Sequence, residues 1–189
     1  MPRISFPEPE NMSLEQRRVY DKVVSGPRGK IVGPLRVALH SPELADRWQA
    51  LGEFLRYNTS LAPRLSELAI LVTGRACCAP FEWFAHCVEA LKAGVEQSSI
   101  DALLERRMPD GLSMDDTTII QFATELNSSN SVSDATYARA LDRFGERTIV
   151  ELTALIGYYT MVAMMLNTHE VPLPDGVEAA FPLPQRAML

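Results

Sequence analysis

Cysteine is scarce in this sequence. Of 189 residues only three are cysteines, Cys77, Cys78 and Cys87, and two of them are adjacent. An odd and clustered set of this kind does not form the disulfide framework of small secreted domains. The scarcity therefore excludes a disulfide-stapled fold and favours a reducing, cytoplasmic location.

Positive charge and long apolar runs are also lacking. Lys and Arg total 18 against 24 Asp and Glu, a net charge of -6, whereas nucleic-acid-binding domains normally present a basic face. No continuous apolar run reaches the roughly 18–20 residues that cross a bilayer, and residues 1–13 have no apolar segment typical of a signal peptide. We expect no nucleic-acid partner and no membrane association, and the length suits one domain spanning residues 1–189.

Convincing strand pairs are missing, so the predicted class is all-α, with about eight helices. Residues 1–12 contain three prolines and are predicted to be an N-terminal arm, and the Pro-rich residues 171–189 a C-terminal arm. The helix at 42–57 carries an apolar stripe, interpreted as core: Leu44, Trp48, Leu51, Phe54 and Leu55. The last helix, about 146–167, is apolar almost all round, which predicts burial at the centre or at a subunit interface.

The loop at residues 25–34 is rich in glycine and proline and carries Arg28 and Lys30. Such a loop can cradle a phosphate, but neither a Walker nor a dinucleotide-binding spacing is present. The phosphate interpretation is therefore disfavoured.

Reactive side chains concentrate in one stretch, residues 63–94. Two helices are predicted there, at about 63–75 and 80–93, each opening on a proline in its first turn. Glu67 lies on the first helix, and Glu82 and His86 lie on the second. Because Glu82 and His86 are four residues apart, their side chains share one face of the helix.

The sequence motifs of this stretch resemble those of a known family. A Pro-Arg-Leu-Ser-Glu-Leu opening, a Glu-Trp-Phe-Ala-His centre and an Ala-Leu-Lys-Ala-Gly close, with His86 nineteen residues after Glu67, are similar to the carboxymuconolactone decarboxylase / alkylhydroperoxidase D-like family. The resemblance covers about residues 34–170. It implies a helical bundle assembled into homo-oligomers, either dimers, trimers or hexamers, and a site that includes Glu67 and His86. It also implies that the loop at residues 25–34 forms part of the pocket wall, which is the interpretation we favour for that loop.

The sequence departs from the peroxidase branch of that family at one place. In that branch a CxxC pair has its second cysteine four residues before the histidine, and here the two positions are Ala79 and Glu82. The usual dithiol is therefore absent. The cysteines that remain near the second helix, Cys77 and Cys78, are a possible redox pair, because a helix N-terminus stabilises a thiolate. Their burial as small hydrophobic residues is an equally good interpretation.

His86 is the best candidate for a general acid or base, since imidazole exchanges protons near neutral pH. Glu67 would orient it or move protons itself, and Glu82 would form the other half of a carboxylate–imidazole pair. When two carboxylates share a partly dry pocket, one of them is expected to stay protonated. The alternative is a purely structural role, in which Glu82 is solvated and His86 only satisfies a polar contact in the core.

Other candidate residues are less well defined. Arg64, Arg36 and Arg75 are candidates to receive a carboxylate substrate, and Trp83 is a candidate for the pocket wall. The cysteines and His86 lack the paired spacing of zinc ligands, so no metal is expected, and no cofactor is predicted.

Three functions follow from these residues. The first is a carboxymuconolactone decarboxylase-like enzyme, a lyase that transfers protons through Glu67, Glu82 and His86 on a small carboxylated or lactone-type substrate. The second is a thiol-dependent hydroperoxide reductase with peroxiredoxin-type activity, without the usual CxxC. The third is a non-catalytic helical oligomer that binds a small ligand.

Overall fold

One helix near the middle of the chain lies at the centre of the fold. In a computed structural model, which describes residues 2–184, residues 66–74 of this helix are all buried. Leu68, Ala69 and Leu71 are fully shielded from solvent. The helix contacts five others, and its burial on all sides explains the apolar run at residues 68–72.

The described residues contain eight α-helices and no strand. The helices, in chain order, are α1 (Leu14–Ser25), α2 (Pro34–Ala38), α3 (Pro42–Tyr57), α4 (Pro63–Ala76), α5 (Pro80–Lys92), α6 (Gln97–Leu104), α7 (Met114–Ser129) and α8 (Asp134–His169). The expected all-α bundle of about eight helices is confirmed. The central helix is α4, packed against α3, α5, α6, α7 and α8.

Local sequence signals set several helix starts. Ser13 forms a capping box with Gln16, and the side chains of Ser113 and Ser133 accept bonds from backbone N–H groups in the first turns of α7 and α8. Ser41, which precedes α3, forms no such bond. The helix α7 extends through the polar residues that follow Leu126 as far as Ser129, and Asn130 ends it in a left-handed conformation.

The long α8 is two helical segments joined at Gly145. This residue has φ 75° and ψ 167°, and it interrupts the helix directly before residue 146, where the last helix is predicted to begin. An 18-residue window of α8 has mean hydropathy 1.7, so by length and composition it could cross a membrane, contrary to the expectation that no segment qualifies. Within the fold, 56% of that window is buried, and the core helix of a globular protein can have the same length and composition.

The apolar stripe of α3 is only partly core. Trp48 and Leu55 are buried, but Leu44, Leu51 and Phe54 are all more than 40% exposed. The contacts of α3 fall on a neighbouring face, which is made by Ala45, Trp48, Gln49, Gly52 and Leu55. Hydrophobicity alone did not separate these two adjacent faces.

The N-terminal arm lies along the body of the fold. The backbone N–H of Arg3 donates to the carbonyl of His169 at 2.9 Å, and the Nε2 of His40 donates to the carbonyl of Ser5 at 2.8 Å. Beyond α8, Phe181 is buried against the ring of Trp83. Residues 185–189 of the predicted C-terminal arm lie outside the described residues.

Candidate active site

The turn between α4 and α5 brings the candidate residues together. Cys78 takes φ 48° in this turn, and the N–H of Ala79 donates to the carbonyl of Gly74, so the chain reverses within three residues. Because α5 then packs on α4, Glu82 and His86 face Glu67 across the two helices.

The three side chains form a line with His86 at its centre. The Nδ1 of His86 lies 2.7 Å from the Oε2 of Glu67, and its Nε2 lies 3.6 Å from the Oε1 of Glu82. All three residues are more than 90% buried. When the Nδ1–H donates to the Glu67 carboxylate, the lone pair of Nε2 is left facing Glu82, which is the arrangement a general base requires.

The environment of Glu82 favours the protonated carboxylic acid. Burial raises the pKa of Glu82 well above its ordinary value, the charge of Arg56 acts against this, and the nearby charge of Glu67 adds to it. Its Oε2 is buried and has no hydrogen-bond partner among the described residues. A neutral acid beside a basic nitrogen is suited to giving a proton to a bound molecule.

The line opens onto a cavity of about 440 Å³. Both Glu82 and His86 line it, as does the loop between α1 and α2. The remaining lining residues come mainly from α3, α5 and α8: Arg56, Tyr57, Phe81, Ala85, Glu89, Tyr158, Tyr159, Val162 and Leu166. The volume suits a small organic molecule.

Three cationic side chains, Arg28, Lys30 and Arg56, also line the cavity. Burial lowers the pKa of Arg56, but the facing groups, led by Tyr159, outweigh it, so the net shift is upward. The ring of Tyr159 meets the ring of His86 edge-on at a centroid distance of 4.9 Å. Burial raises the pKa of Tyr159 well above its ordinary value, so it serves as a neutral wall against the imidazole.

The arginines and the tryptophan predicted to contact substrate lie elsewhere. Arg64 binds Asp116 through two contacts, at 3.1 and 3.2 Å, and donates to the carbonyl of Gly94, so it ties α4 to α7. Arg36 pairs with Glu8 of the N-terminal arm. Trp83 is on the face of α5 that meets Phe181 and does not line the cavity.

None of the three thiols lines the cavity, and all three cysteines are unpaired. Burial raises the pKa of Cys77 above its ordinary value and that of Cys87 to about 12. Cys78 lies between two guanidinium groups, with its Sγ 3.4 Å from Arg106 and 3.9 Å from Arg75. The thiols therefore lie outside the lining of the cavity that Glu82 and His86 share.

Sequence reasoning missed several residues of the cavity wall. Arg56, Tyr158 and Tyr159 were hidden in helices interpreted as core, and only the packing of those helices shows which way they point. Arg28 and Lys30 were noted, but as a weak phosphate motif. Across residues 2–184 we found no cluster of three or more His, Cys, Asp or Glu side chains that could hold a metal ion.

The fold and site therefore define an all-α bundle with a buried carboxylate–histidine–carboxylate line at the edge of a small cavity. Residues 42–125, which include all three side chains, match the sequence model of the carboxymuconolactone decarboxylase family. The resemblance to that family predicted from the sequence is therefore confirmed over this segment. No curated protein matches the chain in sequence.

Solved structures share the fold at low sequence identity. An uncharacterized peroxidase-related protein with an alkylhydroperoxidase AhpD core from Ralstonia eutropha JMP134 has a TM-score of 0.75 at 16% identity, covering 92% of this chain and 93% of that one. A single-residue variant of the debrominase Bmp8, in complex with 2,3,4-tribromopyrrole, has a TM-score of 0.74 at 12% identity, covering 91% of each chain. A peroxidase-related protein from Silicibacter sp. TM1040 has a TM-score of 0.72 at 13% identity, covering 90% of this chain and 91% of that one. These similarities concern the fold alone.

Proposed function

We propose that this protein is an enzyme that transfers protons on a small carboxylated or lactone-type substrate, in the manner of a carboxymuconolactone decarboxylase. The observation that carries the proposal is the line of Glu67, His86 and Glu82 at the cavity edge. It joins an oriented base to a carboxyl group that burial keeps neutral. A histidine that merely satisfied a core contact would not need a second carboxyl group beside it, with one buried oxygen that has no hydrogen-bond partner among the described residues.

The proposed reaction is a decarboxylation in which a carbonyl group takes up the electron pair, directly in a β-keto acid or through the conjugated double bond in an unsaturated lactone. The bond between the substrate carbon and its carboxylate breaks, the electron pair is delocalised onto the carbonyl oxygen as an enolate, and carbon dioxide leaves. Glu82 then gives its proton to a carbon of the enolate. The Glu82 carboxylate that remains regains a proton from solvent through Nε2 of His86, and Glu67 stabilises the imidazolium that forms on the way. No redox partner is needed, which agrees with the absence of CxxC.

A solvent-exchange experiment tests this proposal. The protein is incubated in D2O with 4-carboxymuconolactone and a set of β-keto acids, and NMR follows deuterium at the reacting carbon and release of carbon dioxide. His86→Gln is expected to slow the reaction by about 10²–10⁴-fold. His40→Gln is the matched control, since His40 lies outside the cavity against the N-terminal arm. Equal rates for the wild type and His86→Gln would rule out the assignment.

A thiol-dependent hydroperoxide reductase is the second candidate. The observation in its favour is Cys78, whose Sγ contacts the guanidinium groups of Arg75 and Arg106. Treatment of the reduced protein with one equivalent of an organic hydroperoxide, followed by thiol counting and intact mass, tests it. Rapid loss of two thiols with a loss of two hydrogens would favour this candidate, and unchanged thiols would favour proton transfer.

A further inference from the structure

Arg28 occupies a recess that only a glycine leaves open. Its guanidinium lies over Gly52 of α3, beside the side chain of Tyr158 from α8. A Cβ atom at position 52 would stand 2.5 Å from the Nη2 of Arg28 and 2.6 Å from the Cζ of Tyr158. Any side chain at position 52 would therefore displace one of the two groups.

One edge of this guanidinium has no carboxylate partner among the described residues. The Nε and Nη2 atoms of Arg28 are both buried, and neither meets the distance and angle of a normal hydrogen bond, although the hydroxyl of Tyr158 lies close enough to interact with the guanidinium. Arg36 and Arg64, by contrast, bind carboxylates of this chain. Buried donors without acceptors are unfavourable and rare in folded proteins, so this edge calls for a partner.

The geometry of the edge indicates what that partner is. The Nε and Nη2 hydrogens of an arginine point the same way, and together they match the two oxygens of a carboxylate. Arg28 lines the cavity that Glu82 and His86 also line, and the charges of both Arg28 and Glu82 act on Tyr158. A singly charged carboxylate suits a cavity that also contains Glu89 better than a phosphate dianion does.

We propose that the Nε–Nη2 edge of Arg28 binds a carboxylate of the ligand, with the hydroxyl of Tyr158 beside it. The carboxylate anchored here is one that the reaction retains, and it directs the rest of the molecule toward His86 and Glu82. This inference rests on the proposed function for the identity of the reaction, but the binding step can be tested without turnover.

The test compares two probes of the same shape and different charge. These are 5-oxotetrahydrofuran-2-acetate, a saturated lactone acid, and its primary amide, with binding measured by calorimetry. The wild type is expected to bind the acid about tenfold or more tightly than the amide. Arg28→Met is expected to lower affinity for the acid to that for the amide and to leave the amide unchanged. Arg28→Lys, which keeps the charge but not the two-pronged edge, is expected to fall between them.

Two control variants separate the possible failures. Arg36→Met removes an arginine that Glu8 already holds and should leave both affinities unchanged. His86→Gln should still bind the acid even though proton transfer is lost, so a failed reaction would not remove the anion site. The inference is overturned if Arg28→Met binds the acid as the wild type does, if the wild type does not prefer the acid, or if the acid shows no saturable binding up to about 10 mM.

Discussion

The Nδ1 of His86 and the Oε2 of Glu67 are 2.7 Å apart, although nineteen residues separate them in the chain. The contact joins α4 to α5 inside the core, where both residues are nearly inaccessible to solvent. It fixes which imidazole nitrogen faces the cavity. Glu67 does not line the cavity, so in the proposed reaction it acts through His86, as a positioning residue.

Replacing Glu67 by Gln should weaken proton transfer without removing the histidine. An amide can donate to Nδ1, which would move the imidazole proton to Nε2 and leave no lone pair facing Glu82. We expect kcat/KM to fall by about 10–100-fold, as for the carboxylate partners of other functional histidines, and its pH profile to shift. Glu67→Asp should keep the tautomer and recover part of the rate. A Gln variant with the wild-type rate and pH profile would show that Glu67 has no such role.

The neutral form of Glu82 predicts how stability changes with pH. Because burial raises its pKa, the folded protein holds this proton at pH values where the unfolded chain has lost it. The contribution of this proton to the free energy of unfolding is complete below the ordinary pKa of 4.5, and it decreases as pH rises from there to the raised pKa. Glu82→Gln has no proton to lose, so its stability relative to wild type should increase with pH, at most by about 1.4 kcal/mol per pH unit. Urea unfolding between about pH 4.5 and 8 measures this.

Glu151 provides a control of opposite sign. Hydrogen bonds from the side chain and backbone of Ser60, and then from Arg147, lower its pKa to about 2. The contribution of the ionised Glu151 carboxylate to the free energy of unfolding is therefore present above pH 4.5 and lost as pH falls toward 2. Glu151→Gln should destabilise the protein near neutral pH and less so in acid. Parallel curves for Glu82→Gln and the wild type would contradict the assignment of a protonated Glu82.

The sequence predicted the part of the site that local spacing determines. The pair Glu82 and His86 follows from helical periodicity, and the link to Glu67 follows from the family motif. The break at Gly145 follows from the conformational freedom of glycine. These features depend on residues close in sequence or on a pattern shared across the family.

The position of Arg28 in the cavity wall could not be predicted in the same way. Arg28 comes from a loop, Gly52 from α3 and Tyr158 from α8, and no sequence spacing connects them. Arginine side chains are long, so the direction in which one points depends on the packing of helices distant in sequence. For the same reason Arg64, which is close to Glu67 in sequence, is turned to Asp116.

The thiols should differ in reactivity. In the native protein at about pH 8, we expect iodoacetamide to leave Cys87 and Cys77 largely unmodified, because burial raises the pKa of both. Cys78, which is half-buried between two guanidinium groups, should react first. Peptide mapping over time measures the order, with Cys78→Ser as control and the denatured protein as the reference for full labelling. Modification of Cys87 ahead of Cys78 would contradict this order.

Two glycine substitutions should have opposite effects on stability. Gly52→Ala places a methyl group against Arg28 and Tyr158, and we expect it to cost about 1–3 kcal/mol through overpacking and to abolish preferential binding of the lactone acid. At Gly157 of α8 an added Cβ meets nothing within 4 Å, so Gly157→Ala should stabilise the protein by about 0.5–1 kcal/mol through helix propensity. Chemical denaturation and calorimetry of both variants measure these effects. An added Cβ at position 52 must displace Arg28 or Tyr158 if these side chains are held rigidly. A Gly52→Ala variant with unchanged stability and unchanged preference for the acid would therefore show that the recess does not hold Arg28 in place.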